Sequence, residues 1–514
     1  MVKCKRKNEL DKAVEDIDKL PDHARMFKAV RSLNMKKSEN PKIFDADGKF
    51  ITNIDEIQTV IGKHFKNKFR DDQVNDLEPS QGNARDLNNP ITTNEVEKAL
   101  ARLNNNRAYG KDGIPGEFIK YGADTLAKVI CNILNRVFSE HDDININGSI
   151  VITLQKPGKA KGRVTYLRPI TLLNTLRKVL SLIVLNRTKH DINEYLSPSQ
   201  SGFRESNIGT PQGDSLSPVL FIVYLEHALK NIRKIEAIYT QNNLGLAYAD
   251  GVDFVSTTDF VDVETIQKEL ADFRLNVYTN KTEYTLVQKD GEDWKKVKKV
   301  GSLLGDTEDI ERRKQLSNPT LQKLSSIWIR NDKVKQVTRL NLYRAPVKSI
   351  LLYNCDTWSL TKQEEHKLNT FHCRQLRTIL NIKYPTVIKN NTLYQKTGET
   401  PISLTILEAR WQLFGHILRQ AITTPPNVAM TKYFKTEGSK QRGRSKMSIV
   451  TTLRRDLNSH NNDHWPTTFH SITDLDHLRT IAQNRSDWKH LTTAIYIYRS
   501  AQAETSVDVA ADGH

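Results

Sequence analysis

Asp250 and Gly251 lie at the centre of the stretch LGLAYADGVDFVS (residues 244–256), between two short alternating apolar runs. A carboxylate at the tip of a hairpin can bind Mg²⁺ when a second carboxylate converges on the same ion. The Asp-Gly pair is also the strongest short-range signal for a two-residue hairpin turn with positive φ. The local pattern therefore predicts a hairpin and favours a plain turn, and a metal-binding role for Asp250 stays open.

Both strands of this hairpin are expected to be buried on two sides, because apolar residues stand at most positions. Counting alternate positions assigns Leu246, Tyr248, Val252 and Phe254 to one face, and Ala247, Ala249 and Val255 to the other.

A second group of residues that could bind a metal is His366, His372 and Cys373, which are close in sequence. The same stretch carries apolar residues at helical spacing, so we expect a helix whose buried face includes His372. The four cysteines are widely spaced and form no CxxC pair, which is typical of a reducing compartment rather than of a zinc site. The pattern favours a core histidine over a metal ligand.

The chain is strongly basic, with a net charge of +17 and a pI near 9.4. Basic runs occur at WKKVKK (294–299), ERRK (311–314) and KQRGRSK (440–446). This balance favours a polyanion as partner, so we expect non-specific, electrostatic binding of RNA and DNA. Apolar runs are too short for a membrane span, and the charged first residues contain no signal-peptide core. We expect no membrane partner and an intracellular protein, in the nucleus or cytoplasm.

Helices are predicted on both sides of a polar, turn-rich linker at residues 71–90. Residues 1–70 are expected to form a helical N-terminal region. Thr92 and Glu95 have the spacing of a capping box, which predicts that the next helix begins there.

Two further patterns concern helices in the second half of the chain. Pro346 lies in the middle of a helical pattern, where a proline costs about 3 kcal/mol unless the helix kinks. Apolar residues repeat at intervals of three and four from Leu404 to Leu418, which predicts a helix with one buried stripe.

Four segments follow one another in an order that points to a family. They are NNNRAYGKDGIPGEFIKYG (104–122), LQKPGKAKGRVTYLRPITLLNTLRKVLSLIVLNR (154–187), SPSQSGFRESNIGTPQGDSLSPVLFIVYLE (197–226), and LAYADGVDFV (246–255) followed by LNVYTNKTEY (275–284). Their order and spacing resemble those of the reverse transcriptases of non-LTR (LINE-type) retrotransposons, including the Jockey and CR1-like elements. The stretch ARWQLFGHILR (409–419) resembles the tail of such proteins less specifically.

The resemblance implies an α+β fold arranged as a polymerase right hand, with helical regions on either side. It places fingers and palm at residues 91–305, thumb-like helices at 306–380 and a helical, basic C-terminal region at 381–499. Residues 500–514 lack periodicity and bulk, so we expect a disordered tail there.

The resemblance also implies polymerase chemistry, in which converging aspartates hold two Mg²⁺ ions. By position in the family motifs, Asp250 matches a metal ligand, and Lys156 and Arg168 match cations that bind the triphosphate. Gln212 and Gly213 match the loop that shapes the nucleotide site. Lys281 matches the lysine of the next palm motif. KKVGSLLGD (298–306) resembles the primer-gripping hairpin. Without the resemblance, Lys156 could equally be a turn charge and Gln212 a helix cap.

Two departures from the family pattern bear on activity. Gly251 stands where the family has the second aspartate of YADD, and Asp253 is expected to point to the opposite side of its strand. SGFR (201–204) is joined to GTPQGD (209–214) by residues 205–208 alone, where the family has a longer segment that includes the strand with the first catalytic aspartate. One carboxylate cannot hold two Mg²⁺ ions. We therefore expect a truncated, degenerate reverse transcriptase without polymerase activity, an incomplete palm sheet, and Asp250 as a remnant metal ligand.

Two other functions stay open. An active RNA-directed DNA polymerase would need a carboxylate from elsewhere, and Asp214 is the nearest in sequence. A domesticated nucleic-acid-binding or scaffolding protein would use the basic C-terminal half instead.

Overall fold

The computed structural model describes residues 43–44, 49–51, 53–69, 87, 89–139, 148–156, 158–197, 200, 216–232, 244–249, 251–255, 263–287, 292–325, 329, 334–436, 447–458 and 466–509. They divide between Thr282 and Glu283 into two compact units, here called the N-terminal unit and the C-terminal unit. Helices predominate and the strands pair in two-stranded antiparallel sheets, so this part of the chain is α+β. Within these ranges no helix combines the length and apolar character that a membrane crossing requires.

The N-terminal unit contains three two-stranded hairpins and several helices. Its strands are β1 (Ile43–Phe44), β2 (Phe50–Ile51), β3 (Ser149–Gln155), β4 (Leu167–Leu173), β5 (Leu244–Tyr248) and β6 (Gly251–Val255). Its helices are α1 (Ile54–Phe69), α2 (Thr93–Ala101), α3 (Gly116–Tyr121), α4 (Ala123–Ser139), α5 (Thr175–Tyr195), α6 (Ser217–Ile232) and α7 (Val263–Ala271).

The capping box predicted at the start of α2 is confirmed. The Thr92 hydroxyl accepts a hydrogen bond from the Glu95 amide, and the Glu95 carboxylate accepts one from the Thr92 amide at 2.9 Å. Glu95 also accepts two hydrogen bonds from the guanidinium of Arg187 on α5, at 2.7 and 2.9 Å. The arginine holds the pKa of Glu95 well below its usual range, at about 2. Glu95 therefore stabilises the N-terminus of α2 and also joins α2 to α5.

The β1–β2 hairpin differs from the helical region predicted for residues 1–70. Ile43 pairs with Ile51, and both side chains are buried in a small core with α1. Isoleucine and phenylalanine favour strands, and the intervening sequence Asp-Ala-Asp-Gly (45–48) has turn-forming composition. Residues 1–42, and all of the predicted linker at 71–90 apart from 87, 89 and 90, lie outside the described ranges.

The C-terminal unit contains one small hairpin and a series of packed helices. The hairpin is formed by β7 (Lys298–Lys299) and β8 (Ser302–Leu303). The helices are α8 (Asp306–Leu324), α9 (Gln336–Leu342), α10 (Ser349–Leu351), α11 (Lys362–Ile379), α12 (Asn390–Thr397), α13 (Ile402–Arg419), α14 (Pro425–Thr436), α15 (Ile449–Leu457), α16 (Ile472–Gln483) and α17 (Arg485–Val509).

Pro346 is accommodated by a change of helix type. Tyr343–Lys348 form a π-helical stretch between α9 and α10, and Pro346 lies inside it. Proline has no backbone N–H to donate to the carbonyl four residues earlier. The wider π-helical turn interrupts the α-helical hydrogen-bond pattern at this point and so accommodates the residue. The predicted local departure from an α-helix is confirmed.

The stripe predicted on α13 is confirmed and forms part of a large core with α14, α15, α16 and α17. All five of its apolar residues are at most 3% exposed: Leu404, Leu407, Trp411, Phe414 and Leu418. Helix α17 continues to Val509, into the segment for which a disordered tail was predicted. The sequence Ala-Gln-Ala-Glu (501–504) has high helix propensity, and neither glycine nor proline interrupts it before Gly513.

Candidate functional site

The hairpin that carries the YADG sequence is formed by β5 and β6. Tyr248 pairs with Gly251, so two residues connect the strands. Ala249 has a φ of 57°, whereas Gly251 is a strand residue outside the left-handed region. The predicted hairpin is confirmed, but the connection is Ala249-Asp250 rather than the predicted Asp250-Gly251. Asp250 itself lies outside the described residues.

The predicted faces of this hairpin are wrong. Ala247 pairs with Val252 and Gly245 with Phe254, and this face packs on a core with α6 and α7. The opposite face is open: Leu246, Tyr248 and Val255 are 36–48% exposed. With a two-residue connection, each odd-numbered residue of one strand pairs with an even-numbered residue of the other. The prediction placed even-numbered residues of both strands on one face, so it assigned one strand to the wrong side. Asp253 pairs with Leu246 and therefore belongs to the open face.

The neighbour of β5 comes from the SQSGFR segment. Gln200 makes a parallel bridge with Ala247 and is fully buried. Within the described ranges, β5 and β6 form a ladder only with each other, apart from this bridge. Gln200, five residues before the short connection at 205–208, therefore lies beside the YADG hairpin. Residues 201–215, which include Gln212 and Gly213, lie outside the described residues.

Lys156 and Arg168 lie at the same end of the β3–β4 hairpin. Arg168 pairs with Leu154 and is exposed, and the main-chain amide of Lys156 donates to Tyr166 O at 2.8 Å. The Lys156 ammonium donates to the carbonyl of Thr165 at 2.9 Å. The structure therefore brings these two predicted cations onto one hairpin, with the lysine partly held by the backbone.

Lys281 lies elsewhere in the N-terminal unit, at the end of a 3₁₀ turn (Thr279–Lys281). Its ammonium is 4.9 Å from the centroid of the Tyr278 ring, and both residues are exposed. This is an ordinary surface cation–π contact, worth about 0.5–1 kcal/mol.

A contact that sequence reasoning missed joins two of the motif segments. The Asp112 carboxylate accepts a hydrogen bond from the Thr175 amide at 3.3 Å, and the Asn174 side chain accepts one from the Asp112 amide at 3.2 Å. A carboxylate at this position stabilises the N-terminus of α5. Gly110 is required here, because any side chain would collide with the backbone of Leu173 and Asn174. The Lys-Asp-Gly sequence at 111–113 is too short a motif to have revealed this.

The β7–β8 hairpin predicted at residues 298–306 is present in the C-terminal unit. Its two turn residues, Val300 and Gly301, have φ values of 46° and 88°. The Val300 carbonyl accepts a hydrogen bond from the Tyr353 hydroxyl at 3.0 Å, and the Gly301 carbonyl accepts one from Arg313 at 2.6 Å. Buried Asp309 accepts a hydrogen bond from the Leu303 amide at 3.0 Å. The tip is therefore rigidly held although Val300 is 63% exposed.

His372, which was considered as a metal ligand together with His366 and Cys373, packs in the core of the C-terminal unit. His372 is fully buried, stacked beside Tyr343 and Tyr394, and its Nδ1 lies 2.6 Å from the Tyr343 hydroxyl. Burial lowers the pKa of His372 to about 4. The predicted core role of this histidine is confirmed. Across the described residues, no three His, Cys, Asp or Glu side chains are grouped as they would be around a metal ion.

Comparison with known proteins finds relatives in mobile elements, although no family model matches. Over 189 residues (35% of this chain), the sequence is 24% identical to the transposon TX1 uncharacterized 149 kDa protein of Xenopus laevis. Over 127 residues (24% of this chain), it is 30% identical to the RNA-directed DNA polymerase from mobile element jockey of Drosophila funebris. The corresponding protein of Drosophila melanogaster is 29% identical over 129 residues, also 24% of this chain. Each match spans 14% of the relative's length.

Proposed function

We propose, from the premise that this chain is related to the reverse transcriptases of non-LTR retrotransposons, that it binds nucleic acid but does not extend primers. The relatives and the motif order support the family relationship. Loss of polymerase activity is our inference from the two departures in sequence, YADG for YADD and the short connection at residues 205–208.

The observation that carries the proposal is the environment of the YADG hairpin. A two-metal polymerase site needs the first aspartate on a strand beside this hairpin. In the described chain the edge of β5 is instead bridged by Gln200, which lies five residues before the short connection at 205–208. Gly251 contributes no carboxylate at the tip, and Asp253 belongs to the open face with Leu246. This arrangement supports a hairpin that keeps its fold without the full set of metal ligands.

The cofactor implied by the family is Mg²⁺, which requires several oxygen ligands in octahedral geometry. Among the described residues no three potential ligands lie together, and Asp250 and Asp214 lie outside those residues. Asp250 is the remaining family carboxylate, and we assign it no metal-dependent step.

Nucleic-acid binding is supported by charge and by the surviving hairpins. The net charge is +17, and three exposed cations lie in segments that match family motifs. Arg168 matches a cation that binds the triphosphate, Lys281 matches the lysine of the next palm motif, and Lys298 begins the stretch that resembles the primer-gripping hairpin. Each lysine or arginine that contacts a phosphate releases bound counterions, so affinity falls with salt. Three such contacts on a duplex would lower affinity about 40-fold between roughly 50 and 200 mM salt.

Two assays test the proposal. Fluorescence anisotropy with labelled RNA and DNA of unrelated sequences should show salt-sensitive binding with little sequence preference. Primer extension on an RNA template with Mg²⁺ and nucleotides should give no product above that of Asp250→Asn. Salt-independent affinity would refute the binding half, and extension that Asp250→Asn abolishes would refute the inactive-enzyme half.

A second candidate, a domesticated nucleic-acid-binding protein, is favoured by the C-terminal unit. This unit has its own hydrophobic cores and a buried ion pair between Arg410 and Asp456, none of which involves the polymerase motifs of residues 104–255. If residues 283–514 alone bind RNA as tightly as the whole chain does, the C-terminal unit carries the function and this candidate becomes the better description.

A further inference from the structure

The segment between α11 and α12 presents an unusual pair of apolar side chains to solvent. Tyr384 is 94% exposed and Val387 is 89% exposed, more than any other large apolar side chain in the described ranges. Large apolar side chains usually gain stability when they are partly buried. Tyr384 and Val387 are both left open to solvent, which is typical of a surface that binds a partner.

The segment that carries Tyr384 is anchored at both ends. The Arg377 guanidinium donates to the Ile388 carbonyl at 3.0 Å and to the Asn390 side chain at 2.8 Å. On the other side, the Ile382 amide donates to the Arg377 carbonyl at 2.9 Å, and Ile382 packs against the core. Between the anchors, the Thr386 amide donates to the Lys383 carbonyl at 2.9 Å and closes a turn. The ring is therefore held outward, which lowers the entropy cost of binding.

The sequence on both sides of Tyr384 is positively charged. The sequence between Glu365 and Glu399 contains six lysines and arginines and no aspartate or glutamate. Lys383 and Lys389 flank the exposed residues and are themselves exposed, and neither makes an ion pair within the described part of the chain. An exposed aromatic ring flanked in sequence by two exposed lysines suits a base with its adjoining phosphates, since bases stack on aromatic rings and phosphates attract lysine.

We propose, building on the nucleic-acid binding proposed above, that Tyr384 is a stacking platform for an unpaired base of single-stranded RNA or DNA. Lys383 and Lys389 contact the phosphates on either side of that base. Duplexes do not use this platform, because their bases are already stacked on one another. A site that bound only phosphate would need no aromatic ring. A segment that contains no aspartate or glutamate offers a basic protein partner no counter-charge.

The experiment measures binding of the full chain to a single-stranded RNA, a single-stranded DNA and a duplex, all fluorescently labelled. Tyr384→Ala should weaken single-strand binding about 5- to 140-fold and leave duplex binding within about twofold. Tyr384→Phe keeps the ring and should bind like the wild type. The double variant Lys383→Gln/Lys389→Gln should reduce the single-strand salt slope by about 1.4, at about 0.7 for each phosphate that is no longer neutralised. Lys489→Gln, an exposed lysine on α17, is the matched control.

Photo-crosslinking gives a readout that does not depend on affinity. RNA containing 5-iodouridine should crosslink to the tryptic peptide of residues 384–389, and Tyr384→Ala should remove that product. Equal weakening of single-strand and duplex binding in Tyr384→Ala, or no weakening at all, overturns the platform while the proposed nucleic-acid binding survives. A wild-type chain that binds no nucleic acid overturns both.

Discussion

Asp456→Ala is predicted to destabilise the C-terminal unit strongly, because it leaves a buried arginine without its counterion. The Asp456 carboxylate accepts a hydrogen bond from Arg410 at 2.9 Å and another from the Trp411 indole at 3.3 Å. Arg410 is 2% exposed and also donates to the Trp358 carbonyl at 3.1 Å. The network joins α13 to α15 inside the unit.

Removing one partner of a buried pair costs about 3–5 kcal/mol. For a unit of this size, 1 kcal/mol shifts the melting temperature by about 2–4 °C, so Asp456→Ala should lower it by about 6–20 °C. The matched control is Asp476→Ala on α16. Its ion pair with Arg479 has an N–O distance of 2.7 Å, but the aspartate is 62% exposed. An exposed pair contributes about 0–1 kcal/mol, so the control should melt close to the wild type.

Urea unfolding followed by tryptophan fluorescence measures the effect, and hydrogen exchange of α13 and α15 peptides assigns it to the C-terminal unit. The double variant Arg410→Met/Asp456→Leu removes both charges and should recover most of the stability. A decrease below about 1 kcal/mol in Asp456→Ala, or a double variant as unstable as the single one, would refute the reasoning.

Three further predictions concern local geometry. Gly415→Ala should lower the free energy of unfolding by about 1–3 kcal/mol in a urea titration, because a methyl group there collides with the buried indole of Trp488. The control Gly62→Ala, which has open space around it on α1, should be neutral or stabilising in the same titration. Val300→Asn should stabilise the chain by about 1 kcal/mol in urea unfolding, because a β-branched residue at a φ of 46° is strained and Asn-Gly suits this turn. Destabilisation would mean that Val300 makes contacts that outweigh the strain. Glu95 has a folded pKa of about 2, below its unfolded value, so its stabilisation is complete above about pH 4.5 and is lost as the pH falls towards 2. Glu95→Gln should remove about 1 kcal/mol of that pH dependence, measured by hydrogen exchange of α2, and an unchanged pH profile would count against the assignment.

Features set by neighbouring residues were predictable from the sequence. The capping box at Thr92, the buried stripe around Trp411 and the interrupted helix at Pro346 each depend on residues within about four helical turns. Local hydrogen-bonding and hydrophobic periodicity decide such features, so a single sequence contains the information.

Features that depend on distant contacts were not predictable in the same way. The Asp112 cap on α5 and the ion pair between Glu95 and Arg187 join segments 63 and 92 residues apart. The faces of the YADG hairpin were misassigned because they depend on the number of residues in the turn, which fixes the register. For the candidate site, motif matching proposed residues, but it could not reveal that Gln200 lies at the edge of β5.

Primer extension by a repair series of the full chain tests directly whether the two sequence departures abolish polymerase activity. Gly251→Asp is sterically tolerated, since a Cβ there would meet only the Tyr248 carbonyl, at 3.4 Å. It restores one carboxylate, and insertion of the family's longer segment between Arg204 and Gly209 restores the strand with the other. We predict no product from the unrepaired chain or from Gly251→Asp alone, weak activity at best from the insertion, and clear Mg²⁺-dependent extension only when both repairs are combined. Extension by the unrepaired chain that Asp250→Asn abolishes would contradict the proposed loss of polymerase activity.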